Sequence, residues 1–178
     1  MATSVPWRVP ISSGDLFPKC RFTSWARKAK GISSSPLATD LSHVYALILA
    51  GGGGSRAWPW STDRLPKQLL KLFGTENSLV RESVMRALHR LPAEQVYIQT
   101  IPRLKEAMFE EVKDLGIPGE NILAEPDMAD TAAAIGYGVV SIYAKDKDAV
   151  ILVLTADHKI YPEEEFWKAL EHSITAAE

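Results

Sequence analysis

From Val44 onward the chain predicts an α/β fold, doubly wound around a mainly parallel sheet. Two observations carry this. Four short apolar runs alternate with stretches of helical periodicity, the order that βαβ units produce. The last of those runs, Ala149 to Leu154, is almost wholly apolar, as expected of a strand covered on both sheet faces.

Taken in order, the first strand, Val44 to Ala50, runs directly into Gly51, Gly52, Gly53 and Gly54. Val80, Val84, Ala87, Leu88 and Leu91 then fall on one face of a helix that ends before Pro92. Glu94 to Thr100 reads as the second strand. Pro102 suits the first turn of a helix whose Leu104, Met108, Val112 and Leu115 face inward, with Gly116 as its C-terminal stop. Asn121 to Ala124 is a short third strand. Thr131 to Tyr143 is an Ala-rich helix with Ile135, Val139 and Ile142 spaced for burial. After the fourth strand, Pro162 opens a last helix. Glu163, Glu164 and Glu165 complement its positive N-terminus, and Phe166, Leu170 and Ile174 form its apolar stripe.

The 178 residues suggest one domain, and 46% hydrophobic with 24% charged residues is ordinary for a globular protein. A formal charge of −2 gives no long-range attraction for nucleic acid. The single cysteine, Cys20, excludes an internal disulfide and a cysteine-based zinc cluster. No apolar run approaches the ~18 residues that span a bilayer, so a soluble protein with no membrane partner is expected. Charge is uneven. Residues 1–43 hold six basic and two acidic side chains, are rich in serine and threonine, and lack apolar periodicity. Residues 44–178 carry a net −6. The expected division is therefore a leader over 1–43 and a folded α/β domain over 44–178. The leader has the composition of a transit peptide, which would direct an otherwise cytoplasmic protein to an organelle; a disordered or non-native leader is the alternative.

The glycine run is the most informative stretch. Glycines let backbone N–H groups come close to phosphate oxygens, and Arg56 and Lys67 add the positive charge that a triphosphate requires. A Walker loop is excluded, because Gly54 is followed by Ser55-Arg56-Ala57 instead of Gly-Lys-Ser/Thr. Gly52, Gly54 and Ala57 satisfy the dinucleotide fingerprint formally. However, Pro59 and Pro66 interrupt the helix that should follow, and no acidic residue ends the next strand. Ligands of open α/β sheets bind beyond the carboxyl ends of strands. The glycine loop follows the first strand, Glu125 the third and Asp157 the fourth, so these segments are expected to converge. Asp157 is the candidate Mg²⁺ ligand, with helix capping as the alternative. His158 is expected to be structural, and Trp58 and Trp60 to pack under the loop.

Residues 47–68, with Leu49-Ala50-Gly51-Gly52 through Arg56 and then Pro66-Lys67, resemble the L-A-G-G-x-G-x-R…P-K signature of sugar-1-phosphate nucleotidyltransferases. Trp58-Pro59 and Pro66-Lys67-Gln68 look most like the mannose-1-phosphate guanylyltransferases of that family. Ala124 to Ile135 resembles E-P-x-x-x-N-T-A-P-A-I, with Asp130 for the asparagine and Ala133 for the proline. Leu152 to Ile160 resembles V-L-P-A-D-H-x-I, with Thr155 for the proline.

The resemblance implies a Rossmann-like, GT-A-like architecture ending shortly after the A-D-H motif. It implies transfer of a nucleotidyl group from GTP to mannose 1-phosphate, with Mg²⁺ at Asp157 and Arg56 and Lys67 as catalytic charges. Leu49, Ala50, Gly51, Gly52, Gly53, Gly54, Ser55, Arg56, Lys67, Glu125, Thr131 and Ala132 would contact the nucleotide. In the family, the region after A-D-H supplies the sugar pocket and a second metal-binding aspartate. The expectation is thus a fragment, a chain completed by a partner or by its own copy, or a non-catalytic nucleotide-binding or regulatory subunit.

The break in composition near Val44 yields a first prediction. Deleting residues 1–40 should leave the urea midpoint of the protein nearly unchanged; a large fall in the midpoint would show that the leader packs on the core.

Overall fold

The computed structural model describes residues 40–52, 58–62, 65–72, 74–127 and 130–178. The leader, and Gly53, Gly54, Ser55 and Arg56 of the glycine loop, lie outside the described residues. The described sheet holds β1 (Val44–Leu49), β2 (Val96–Thr100), β3 (Ile122–Ala124) and β4 (Val150–Thr155) in the order β3-β2-β1-β4. All neighbours are parallel. β1 is central and pairs with β4 from Val44↔Val150 to Leu49↔Thr155, and with β2 from Ala46↔Val96 to Leu49↔Gln99.

Alternation along β1 divides the core into two. Val44, Ala46 and Ile48 face one side, where α1 (Leu79–Leu88), α2 (Lys105–Val112) and α4 (Glu163–Ala177) contribute Val80, Val84, Ala87, Met108, Val112, Trp167 and Ile174. Leu47 faces the other side with Tyr97 and with Ile142 of α3 (Asp130–Tyr143). Burying each large apolar side chain contributes about 1.5–3 kcal/mol, so the first, larger cluster supplies most of the stability. Ser78 starts α1 by accepting a hydrogen bond from the Arg81 N–H at 3.2 Å.

The helix after Pro102 is divided: 3₁₀ turns at Pro102–Leu104 and Lys113–Leu115 flank α2. Gly116, at φ 80°, ends it as expected. Three expectations need correction. The buried ridge of α3 is Ala134, Gly138 and Ile142, whereas Val139 is 36% exposed and Ile135 half-buried. The helix lies so close to β1 that small residues, not the bulkiest ones, define its inner face. Trp167, with Ile174, is the fully buried residue of α4, while Phe166 and Leu170 are only partly covered. Finally, β4 lies at the edge of the described sheet and its Val153 is 42% exposed, because α3 lies over β1 and β2 and, among the described residues, leaves that side of β4 uncovered.

Gly138 makes the close approach measurable. A Cβ there would sit 2.4 Å from Leu47 Cδ2 and 3.1 Å from Leu47 Cγ, and Leu47 is fully buried. Gly138→Ala should therefore destabilise the fold, since overpacking of about 1–3 kcal/mol outweighs the ~1 kcal/mol gain in helix propensity. Urea denaturation reads the sign; a more stable variant would mean that α3 can shift away from β1.

Candidate functional site

Strand order creates a crevice. The chain steps from β1 outward to β2 and β3, then returns to place β4 on the opposite side of β1. Ligands of open α/β sheets bind at such a switch point, beyond the carboxyl ends of the two diverging strands. Here those ends are Leu49-Ala50-Gly51-Gly52 and Thr155-Ala156-Asp157. Backbone bonds hold both in place: the Ala50 N–H donates to Gln99 O at 2.7 Å, and the Ala156 N–H to Leu49 O at 3.1 Å.

Lys67 and Gln68 reach the same place from a 3₁₀ turn, Lys67–Leu69, entered through extended Pro66. Proline fixes φ before the turn, and the Leu70 N–H closes it on Lys67 O at 3.1 Å. Lys67 Nζ then donates to Asp157 Oδ2 at 2.7 Å, joining residues 90 apart in sequence. The buried Gln68 donates through Nε2 to Gly52 O at 2.7 Å and so steadies the start of the glycine loop. The hydrogen bond from Lys67, then its charge and that of His158, hold the Asp157 carboxyl below its ordinary range against the opposing effect of burial. Asp157 Oδ1 lies 3.9 Å from His158 Nε2.

Glu125 approaches from β3. Its N–H donates to Thr100 O at 3.1 Å, and its Oε1 lies 3.5 Å from where a Cβ on Gly51 would stand. Glu125 is only 8% exposed, and among the described residues its Oε2 has no hydrogen-bond partner; neither amide atom of the buried Gln99 has one there. Buried polar atoms without partners are costly. They lie on β2 and directly after β3, at the same end of the sheet as Gly51.

The structure thus brings Leu49, Ala50, Gly51, Gly52, Lys67, Glu125 and Asp157 to one end of the sheet. Thr131 and Ala132 are exposed on the first turn of α3. Thr131 does not cap that helix. Asp130, at φ 70°, accepts the Thr131 N–H on Oδ1 at 2.8 Å, a left-handed conformation that a short polar side chain tolerates. The expectation for the tryptophans fails, since Trp58 and Trp60 are 76% and 71% exposed and do not pack beneath the loop. His158 has an exposed ring, and its carbonyl accepts Arg86 Nη2 at 3.4 Å. Gln68, Gln99, Ser83 and Arg86 were given no role by sequence reasoning. A lone glutamine, serine or arginine within an element carries no pattern that marks it, apart from Gln68, which adjoins the Pro66-Lys67 pair.

Because Asp157 titrates below its unfolded value, the pair with Lys67 stabilises the fold fully above about pH 3.9 and loses that contribution as pH falls through the lowered value. Lys67→Met should raise the Asp157 pKa towards the ordinary value, read by carboxyl-carbon NMR. An unchanged pKa would show that the ion pair does not persist in solution.

Comparison with known proteins supplies the family. The family model described as "Nucleotidyl transferase" matches residues 45–178. Mannose-1-phosphate guanylyltransferase 2 of Escherichia coli O157:H7 is 32% identical over 136 residues, covering 75% of this chain and 28% of that protein. Alginate biosynthesis protein AlgA of Pseudomonas aeruginosa is 33% identical over 135 residues, covering 74% and 27%. A crystal structure described as mannose-1-phosphate geranyltransferase from Thermus thermophilus superposes with a TM-score of 0.62 at 32% identity, covering 76% of this chain and 38% of that one. The chain spans less than a third of the length of these two sequence relatives. With the family model covering residues 45–178, all of the sheet but Val44 and every strand-end motif, the chain belongs to the nucleotidyl transferase family.

Proposed function

We propose that this chain binds GTP at the β1–β4 crevice and takes part in transfer of its guanylyl group to mannose 1-phosphate, giving GDP-mannose and pyrophosphate. The observation that carries the reading is the Lys67–Asp157 pair at 2.7 Å beside Gly51 and Gly52. It places a cation and a carboxylate together at the ligand end of the sheet. The names of the relatives support the choice of guanine and mannose.

In the reaction, a phosphate oxygen of the sugar phosphate bonds to the α-phosphorus of GTP while the bond from that phosphorus to the bridging oxygen breaks. Pyrophosphate leaves with the electron pair. The sugar phosphate carries its own nucleophilic oxygens, so the protein has positioning and charge neutralisation to supply. The glycine loop would do so through its N–H groups. Among the described residues a Cβ on Gly52 would meet Gln68 Nε2 alone, at 3.7 Å, so packing with them does not demand glycine there, and close approach of a ligand would account for it. Lys67 and Arg56 would stabilise the departing pyrophosphate. The buried Oε2 of Glu125, without a partner among the described residues, could accept a hydrogen bond from the donor edge of a base.

Mg²⁺ fits in a restricted way. The described residues contain no cluster of three or more acidic, histidine or cysteine side chains, which excludes an all-protein cage among them. Asp157 alone, 38% exposed in its side chain, suits an ion held by one carboxylate and by substrate phosphates. When bound there, Mg²⁺ would neutralise phosphate charge, and Lys67 would turn from Asp157 towards the phosphates.

Two measurements test the reading. Titration calorimetry with GTP and Mg²⁺ should show binding that Arg56→Ala weakens by about 1.5–3 kcal/mol, the range for charge-assisted hydrogen bonds. A pyrophosphate-release assay should then give product only when mannose 1-phosphate is present. GTP binding without release would favour a nucleotide-binding subunit, and no binding at all would overturn the proposal.

A further inference from the structure

We infer that Ser83 and Arg86 of α1 form a positioning pair that fixes the backbone of Asp157, an inference that builds on reading Asp157 as the metal carboxylate. Arg86 is an unusual residue to find where it is. It is 6% exposed on the inner side of α1, next to Val84 and Ala87, and no carboxylate among the described residues lies within 4.0 Å of it. Burial lowers its pKa, with Glu163 and Glu82 opposing at longer range. A buried cation without an ion-pair partner is costly. An apolar residue would pack α1 on the sheet without that cost, so packing alone does not account for the guanidinium.

Its hydrogen bonds indicate what it does. Arg86 Nη2 donates to His158 O at 3.4 Å, and Nη1 donates to Ser83 Oγ at 3.5 Å. Ser83, 1% exposed, donates its own hydroxyl hydrogen bond to Thr155 O at 3.3 Å. The two carbonyls reached from α1 are thus the last of β4 and the first after Asp157. From the opposite side, the Ala156 N–H is held by Leu49 O at 3.1 Å. The main chain on either side of Asp157 is gripped from α1 and from β1, and the carboxylate is aimed before any ligand arrives. Two cavities, of ≈ 240 and ≈ 270 Å³, are both lined by Arg86 and Ile160. The planar fork of arginine suits the task, since it presents donors to two acceptors at once while a lysine offers a single point.

Hydrogen exchange tests the grip without metal or turnover. In the full chain, Arg86→Met and Ser83→Ala should each accelerate amide exchange at residues 155–159 by tenfold or more, with amides of β1 and β2 unchanged. Arg86→Lys should restore protection only in part. Mn²⁺ affinity, measured with GTP by electron paramagnetic resonance, should fall about 10–100-fold in the same variants, the usual effect of losing an outer-shell partner. If Arg86→Met does not fold, Ser83→Ala still breaks the link to Thr155 and carries the test. Unchanged exchange at 155–159, or acceleration that is equal across all strands, overturns the inference. Asp157→Asn serves as the control for the metal reading. If it binds Mn²⁺ like the parent protein, that reading fails, and exchange alone decides the grip.

Discussion

The parallel pairing of β1 with β4 is the constraint on which the site depends. Six residue pairs in register bring Leu49 beside Thr155, so the chain leaving β1 and the chain leaving β4 emerge side by side although about 100 residues separate them. Each strand carries a different kind of group outward: β1 leads into glycines, whose backbone can lie against a ligand, and β4 into a carboxylate. A shift of two residues along β4 would keep every side chain on its proper face. It would nevertheless move Asp157 by about 6–7 Å and separate it from Lys67. The site therefore asks more of this strand pair than the core does.

Electrostatics at the crevice are balanced internally in the absence of ligand. Lys67 neutralises Asp157, and the hydrogen bond between them keeps the carboxyl charged well into acidic conditions. A triphosphate with its cation would exchange both partners at once, offering phosphate oxygens to Lys67 and a metal to Asp157. By contrast, Glu125 and Gln99 have nothing in the described structure to bond to. Polar groups left in that condition are tolerated where a ligand completes them. Their location beside Gly51 is consistent with the proposed nucleotide site.

The helices divide the labour of support unequally. α1, α2 and α4 bury the larger cluster, while among the described residues the opposite face of the sheet has only α3, which approaches through Ala134 and Gly138. Against that firm face, α1 can spend two inward positions, Ser83 and Arg86, on polar contacts with the loop after β4. Gln68 does the same for the loop after β1. In both loops the residue that touches the ligand in the proposed mechanism is held by another that does not.

Much of this was legible in the sequence alone. Strand and helix order follows from apolar periodicity, a local property of the chain, and the Gly116 stop and the extended entry at Pro66 follow from backbone chemistry that needs no neighbours. Placing Gly51, Glu125 and Asp157 at one end of the sheet followed from their positions after strands. Tertiary structure decided the rest. Periodicity selects a helix face by bulk, but α3 packs by closeness of approach, so Gly138 lies inside and Val139 outside. Strand composition could not show that one face of β4 is left uncovered among the described residues, because that depends on which elements pack on it. The bonds from Lys67 to Asp157 and from Arg86 to His158 O join residues 90 and 72 apart. Such contacts exist only once the crossovers have chosen which strands are neighbours, and no pattern within a single segment encodes that choice.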